Sequence, residues 1–290
     1  MAEYVDIHCH GGGGHAFGAS AEGTRSAFAA HRAHGTCAVV ASLVSMPLEE
    51  LAHAVEVTRA ARAEEPGIVG IHLEGPFLAP SRKGAHDSSA LRHPTPDLVG
   101  DILDIVGDDL LQITIAPELP GALDAIARFA TAGVTVAVGH TAATAEQADA
   151  AFDAGARLVT HGFNAMAGIT ARAAGPMGAA LARDDVAIEI IADGIHVDPR
   201  VIRSVFAAAP GRVVLVTDAM AAAAAEDGSY RLGSLDVEVV DGRAVVAGTD
   251  TLAGSTLTMD RAVEVCVGAG VPREQAVAAA STVPARVLGL

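Results

Sequence analysis

Positive charge is what this chain has least of. Its 290 residues hold 19 Lys and Arg against 35 Asp and Glu, a formal net charge of -16, and Lys83 is the only lysine. That balance argues against nucleic acid and against anionic membranes as partners. Long apolar runs are also missing. None reaches the roughly 18 residues that a membrane span needs, and the opening MAEYVDIHCHG has neither the basic nor the apolar region of a secretion signal. Cysteine is scarce: Cys9, Cys37 and Cys266 are odd in number and lack metal-finger spacing. A reduced, cytoplasmic compartment is therefore expected. Aromatic residues make up only 3%, so alanine and valine must carry much of the core. No internal repeat, linker or low-complexity tail interrupts the chain.

What the chain does have is apolar bulk. Hydrophobic residues make up 51% and the mean hydropathy is +0.38, enough for a large core. Short β-rich runs recur at Tyr4–His8, Cys37–Leu43, Ile68–Leu73, Leu110–Ile115, Val134–Val138, Leu158–Thr160, Val186–Ile191 and Val213–Thr217. Ala-rich amphipathic segments separate them, at Glu22–His34, Pro47–Glu64, Thr95–Val106, Gly121–Ala132, Thr144–Ala154, Gly178–Arg183 and Pro199–Ala208. Strand–helix alternation implies parallel pairing, because each parallel crossover needs a helix. About eight such units in a chain of this length predict a (β/α)8 barrel occupying residues 1–290 as one domain; a doubly wound open sheet is the alternative. The alternation breaks once. Ser229–Leu232, Leu235–Val240 and Arg243–Ala247 follow Asp218, with the turn signal Asp241-Gly242 between the last two. A small β-hairpin insertion, about 229–247, is expected in the last strand-to-helix loop. Helices then run over Gly254–Gly268 and from Pro272 to the end.

The polar residues fall in a pattern. Ile68–Leu73 reads as a buried strand that ends in Glu74 and is stopped by Gly75-Pro76, with His72 and Glu74 on one face. A carboxylate there is costly unless a metal ion, or an Arg or Lys partner, meets it. Strand one ends in His8 and His10, strand four in Glu118, strand five in His140 and strand six in His161. Asp193 and His196 follow strand seven, and Asp218 ends strand eight. In a barrel all these ends share one rim, where active sites are built. Histidine with carboxylate is the ligand set of a hydrolytic metal site, suited to zinc or to iron, manganese or cobalt. His8 and His10, two apart, share a face, and Cys9 between them reads as packing. His31, His34 and His53 lie on expected helices and read as surface. Gly11–Gly14 matches neither phosphate-binding glycine pattern and reads as a tight exit letting backbone approach the site.

Stretches running from end to end carry a specific likeness: VDIHCHGGGG at Val5–Gly14, HLEGPFL at His72–Leu78, KGAH at Lys83–His86, APE at Ala116–Glu118, VGHTAAT at Val138–Thr144, THGFNAM at Thr160–Met166, ADGIHVD at Ala192–Asp198, VTDAM at Val216–Met220 and LAGSTLTMDRAV at Leu252–Val263. With these the chain resembles the N-acetylglucosamine-6-phosphate deacetylases of the amidohydrolase superfamily. The resemblance implies hydrolysis of the acetamide of N-acetylglucosamine 6-phosphate. It implies that Glu74, His140 and His161 bind a divalent metal, that Asp218 is the catalytic acid/base, and that His8 and His10 can hold a second ion, so one or two ions per chain. It implies sugar-phosphate contacts at Ala85, His86, Asn164, Ala165, Arg172, Asp193 to His196, and Leu252, Ala253 and Gly254. Arg172 and His196 would meet the phosphate, one of them across a homodimer interface, which answers the acidic balance through a local bidentate guanidinium.

Two departures from that family stand out. The small β-sandwich that the family usually builds from segments before and after the barrel has no counterpart here, which bears on stability and dimer packing. Ala173-Ala174-Gly175 replaces Glu-Pro-Gly, which predicts a looser loop near the phosphate. The competing readings are a non-catalytic sugar-phosphate-binding paralogue, and another amidohydrolase acting on N-acyl amino acids or cyclic amides. The subtype with a carboxylated lysine on a barrel strand is disfavoured, since Lys83 falls in a loop. Keeping Glu74, His140, His161 and Asp218 together speaks against a mere binder, which has no need of a general base.

Overall fold

A computed structural model describes residues 3–290. Eight strands pair side by side in chain order: β1 (Tyr4–Cys9), β2 (Thr36–Val44), β3 (Ile68–Glu74), β4 (Leu110–Ile115), β5 (Thr135–Val138), β6 (Leu158–Val159), β7 (Ala187–Ile191) and β8 (Val213–Val216). Every pairing between neighbours is parallel. Their residues are buried almost throughout, as expected of strands covered on both faces. The helices supply the outer layer: α1 (Ala21–Ala33), α2 (Leu48–Glu64), α3 (Pro96–Val106), α4 (Ala122–Thr131), α5 (Ala145–Asp153), α6 (Gly175–Leu181), α7 (Pro199–Ala208) and α8 (Met259–Gly268). Their starts follow from local chemistry. The Ser20 hydroxyl accepts from the Gly23 N–H, Thr144 and Gln147 form a capping box, and Asp198 accepts from the Arg200 N–H with Pro199 in the first turn.

The barrel closes at its seam through a side chain. β1 and β8 share no ladder; instead the Asp218 N–H donates to the His8 carbonyl (2.8 Å). The Asp6 carboxylate accepts from the Thr217 N–H and hydroxyl. Asp6 is fully buried, and burial pushes its carboxyl up to about 6 against the pull of those hydrogen bonds.

The (β/α)8 expectation is met. After β8 the inserted segment is a three-stranded antiparallel meander, β9 (Gly228–Leu232), β10 (Leu235–Val240) and β11 (Arg243–Val246). Val237, Val239 and Ala244 pack with Leu232 beneath it. Three differences from the sequence reading have physical causes. The α8 helix begins at Met259, not at 254, because Gly254 lies in the left-handed region (φ +62) and a Cβ there would meet the Asp218 carbonyl oxygen at 2.8 Å. The C-terminal helix is two, α9 (Arg273–Ala279) and α10 (Thr282–Leu288). Pro284 lacks an N–H, so it is tolerated only in a first turn and forces a restart. His31 is not a surface residue: it is fully buried and its Nε2 donates to the Gly11 carbonyl (2.8 Å). Burial lowers its pKa. The glycine exit is accordingly shaped by its own return arm, since a Cβ on Gly11 would lie 2.3 Å from the His15 carbonyl oxygen. Its backbone pairs with the segment after β8, as in Gly11 N–H to the Ala219 carbonyl.

The cysteines form no disulfide, and only Cys37 is exposed. Burial pushes the Cys266 thiol up to about 12 and that of Cys9 well above its ordinary value. We predict that a thiol reagent at pH 8 labels one site per native chain, at Cys37, and all three after unfolding. Rapid native labelling at Cys9 or Cys266, read by peptide mass, would contradict the packing described.

Candidate functional site

The C-terminal ends of the strands bring six of the expected residues into one cluster. Glu74, the last residue of β3, sits at its centre. Its Oε1 lies 3.0 Å from Nε2 of His140, 3.0 Å from Nε2 of His161 and 3.5 Å from Nε2 of His8. Its Oε2 lies 3.2 Å from Nε2 of His10 and 3.1 Å from Nε2 of His86. Asp218 Oδ1 stands 3.4 Å from His8 and 3.3 Å from His10. All seven of these residues are buried. Within this cluster two groups have donor geometry for a metal ion, His8/His10/Glu74 and Glu74/His140/His161, with donor atoms within 4.8 Å of one another and Glu74 common to both.

The rings are oriented from behind. Nδ1 of His10 donates to the Ser42 carbonyl (3.1 Å) and that of His140 to the Arg82 carbonyl (2.9 Å). With Nδ1 engaged outward, each ring turns its Nε2 inward. The inward Nε2 atoms of His140 and His161 stand 3.0 Å apart, those of His8 and His10 3.2 Å apart, all against carboxylate oxygen. Such a convergence of acceptors wants positive charge. The same demand shows in the titrating groups. Burial alone would depress His10, but hydrogen bonds to Asp218 and Glu74 outweigh it and hold the ring at about 9. His8 is likewise held well above its ordinary value, against burial, by Glu189, Glu74 and Asp218. Burial would raise Asp218, yet His8 and His10 hold it at about 2. A divalent ion meets this demand with N and O donors it prefers, so the residues present fit one.

Below the cluster lies a polar layer in place of the branched apolar side chains usual in a barrel core. The fully buried His72 bridges the hydroxyls of Ser42 and Thr114 at 2.9 Å each, and Thr114 meets the Thr160 hydroxyl (2.8 Å). Register sets this up, since Ser42 pairs with His72 and His72 with Gln112 across β2, β3 and β4. Burial depresses His72 well below its ordinary value, so it serves as a neutral strut.

Backbone strain gathers here too. His140 (φ +47), His161 (φ +27), Phe163 (φ +73), Ala165 (φ +51) and Asp218 (φ +48) all take left-handed conformations without being glycine, a cost tolerated mostly at functional sites.

Above the cluster a cavity of about 440 Å³ opens to solvent, within the range of small-molecule sites. Of the expected contact residues, Ala85, His86, Asn164, Ala165, His196, Leu252 and Gly254 line it. Three do not. Asp193 stands behind His196, its carboxylate taking the His196 Nδ1 proton (2.6 Å) and the Ile195 and His196 N–H groups (2.8 Å each). Ala253 is buried under the meander. Arg172 is exposed on the 167–174 loop. That loop is tied by Thr170, whose N–H donates to the Ala173 carbonyl (2.8 Å). Ser81, Arg82, Leu232, Asp250 and Thr251 also line the cavity and were not anticipated; they sit in loops or at the meander edge, where no periodicity marks them. Glu118 is neither a partner of a histidine nor of a cation. Its two oxygens hold the Thr141 hydroxyl and the Ala142 N–H, fixing the turn that follows His140. A larger groove of about 930 Å³ beyond His10 and Leu232 is mostly apolar and shares only those two residues with the site cavity.

The chain matches the amidohydrolase family over residues 1–290. An N-acetylgalactosamine-6-phosphate deacetylase from Escherichia coli O157:H7 is 37% identical over 99% of this chain and 77% of its own length. An N-acetylglucosamine-6-phosphate deacetylase from Bos taurus is 36% identical over 99% of this chain and 74% of its own. Among solved structures, an aspartate-to-alanine variant of the Mycobacterium smegmatis N-acetyl-D-glucosamine-6-phosphate deacetylase, in complex with N-acetyl-D-glucosamine-6-phosphate, superposes with a TM-score of 0.96 at 47% identity. It covers 100% of this chain and 78% of that one. No helix among the described residues is long and apolar enough to cross a membrane.

Proposed function

The chain belongs to the amidohydrolase family, and from that premise we propose that it hydrolyses the acetamide of N-acetylglucosamine 6-phosphate to glucosamine 6-phosphate and acetate. The observation that carries this is the joining of two metal-suited groups through Glu74 with Asp218 at the floor of one sugar-sized cavity. The E. coli relative's name makes the galactosamine epimer the first alternative substrate to test.

An acetamide is a poor electrophile with a poor leaving group. Glu74, His140 and His161 hold the ion in this reading, zinc first, with iron, manganese or cobalt as alternatives; His8 and His10 hold a second. A divalent ion there supplies Lewis acidity, lowering the pKa of bound water from about 15.7 toward about 7. Asp218, ionised at neutral pH, takes a proton from the water that attacks the acetyl carbon. It then returns that proton to the departing nitrogen as the C–N bond breaks. His86, which burial lowers to about 4, is neutral and accompanies Glu74. Asn164, Ala165, Leu252 and Gly254 bound the sugar, with Ala85 at the wall. His196, braced by Asp193, faces the phosphate.

Arg172 is the second phosphate group in this reading, delivered between copies of a homodimer. Its exposure on the loop that also carries the exposed Ile169 supports that arrangement. Residues 1–290 form one cytoplasmic catalytic unit in this view. The test is acetate release from N-acetylglucosamine 6-phosphate, run beside the unphosphorylated sugar, the galactosamine epimer and a chelator-treated sample. Turnover of the phosphorylated sugar that chelator abolishes is expected; none from any substrate by metal-loaded protein would overturn the proposal. Arg172→Ala is expected to raise KM for the phosphorylated sugar about 10- to 100-fold, the scale of a lost charged hydrogen bond. The unphosphorylated sugar should not register the change, and initial rates with both substrates check it.

A further inference from the structure

The strand β7 reads AIEII, and its one polar residue, Glu189, is fully buried. Nothing in the catalytic reading uses it. Yet each of its oxygens is engaged at the base of the cluster. Oε2 takes the Nδ1 proton of His8 (3.0 Å) and the backbone N–H of His161 (3.1 Å). Oε1 takes a proton from Gln112 Nε2 (2.8 Å). The Gln112 amide is thereby oriented, and its own oxygen is left buried without a partner. Four strands therefore meet at one carboxylate: β1, β4, β6 and β7.

We propose that Glu189 is the positioning residue that makes His8 a ligand donor and sets the spacing of the two metal groups. A carboxylate only accepts, so the Nδ1 facing it must carry the proton, and the Nε2 of His8 is left to face Glu74 and Asp218. Among the described residues, no other group hydrogen-bonds to Nδ1 of His8. The contact to the His161 N–H has a second consequence. His161 sits at φ +27, off the strand's path, and Glu189 pins the peptide that carries it. One side chain thus fixes a member of each group: His8 of the pair with His10, and His161 of the pair with His140. Ligating histidines are commonly held by an acceptor in this way, and removing the acceptor commonly costs 10- to 100-fold in metal affinity. Burying a carboxylate on an apolar strand is expensive; orienting the His8 ring and pinning the His161 peptide at once is what offsets it.

The structure also supplies a clean control. In Glu189→Gln the new NH2 cannot face His8 and His161, which both donate. It can face Gln112 instead, if that amide turns its unpartnered oxygen toward it. The variant then keeps an acceptor on His8 without the charge, whereas Glu189→Leu removes the acceptor at similar volume. The inference rests on the metal assignment above, so the readout is metal binding first. Apo protein is titrated with zinc by calorimetry and its bound metal counted by mass spectrometry after dialysis. In wild type, two ions per chain are expected. Glu189→Leu should retain at most one, with affinity at the His8 site weakened at least tenfold. Glu189→Gln should retain two, with affinity within about fivefold of wild type. The 15N resonances of zinc-loaded wild type should show His8 protonated at Nδ1 and unprotonated at Nε2, and Glu189→Leu should lose that pattern.

If wild type binds no metal at all, the metal assignment itself fails. If it binds metal and Glu189→Leu, folded by circular dichroism, binds it with wild-type stoichiometry and affinity, the role given to Glu189 is wrong. Should Glu189→Leu not fold, Glu189→Gln decides: stoichiometry and affinity held near wild type support the role, and loss as severe as that expected for Leu overturns it.

Discussion

Asp218→Asn is expected to lower kcat by about 10³-fold or more while leaving metal content and fold intact, since one side chain moves the proton in both halves of the reaction. The choice of asparagine matters. Asp218 sits at φ +48, a conformation in which Asn and Asp are the most tolerated non-glycine residues. Its backbone N–H to the His8 carbonyl, which helps close the barrel seam, is untouched by the change. An alanine would confound lost proton transfer with strain; the amide isolates it. The alternative role, a capping or turn-forming aspartate, predicts a small effect, because asparagine caps about as well. Acetate release, bound metal and thermal unfolding measured on the same sample separate the two. A kcat within tenfold of wild type, with metal bound, would remove Asp218 from the chemistry.

How far the site could be read in advance depended on where each residue stands relative to a strand end. Glu74, His140, His161 and Asp218 each terminate or directly follow an apolar run, and a barrel sends all such ends to one rim. The strand–helix rhythm made that barrel legible without any contact information. Glu189, Gln112 and Asp6 obey the same energetic rule that singled out Glu74, a polar group inside an apolar strand needing a partner. They lie mid-strand, one layer down, where position on the rim says nothing, and their partners are on strands distant in sequence. Only closure of the barrel, which brings β4 across from β7 and β1 beside β8, shows that they meet. His31 was misjudged because helical periodicity tells which face a residue shares, not that the glycine loop folds back under that face to take its proton. Arg82, Asp250 and Thr251 belong to loops whose course is set by what they cover. The break between α9 and α10 was legible in Pro284, which the apolar pattern around it concealed.

Glu74→Gln should have the second large effect, and on binding before catalysis. Five imidazoles approach this one carboxylate within 3.5 Å. Burial would raise it, but His8, His140 and His86 outweigh that and hold it well below the usual carboxylate range. It is therefore the anion that both metal-suited groups share, and no neighbour can replace it: Asp218 reaches only the His8 and His10 side. An amide at the same place offers one weak neutral donor to either group. Bound metal after dialysis is expected to fall below about a tenth of the wild-type content, a loss in affinity at least as large as the 10- to 100-fold typical of disturbing the ligands' own supports. Linkage makes the same point without any assay of turnover. A ligand at 100 times its Kd stabilises the fold by about 2.7 kcal/mol, which for a domain of this size shifts Tm by roughly 5 °C or more. Wild-type protein should show that rise when zinc is added to the chelated sample. Glu74→Gln should unfold at the same temperature with and without it. A full zinc-dependent shift in the variant would mean that the histidines hold the ion unaided, and that Glu74 is a neighbour of the metal site, not its centre.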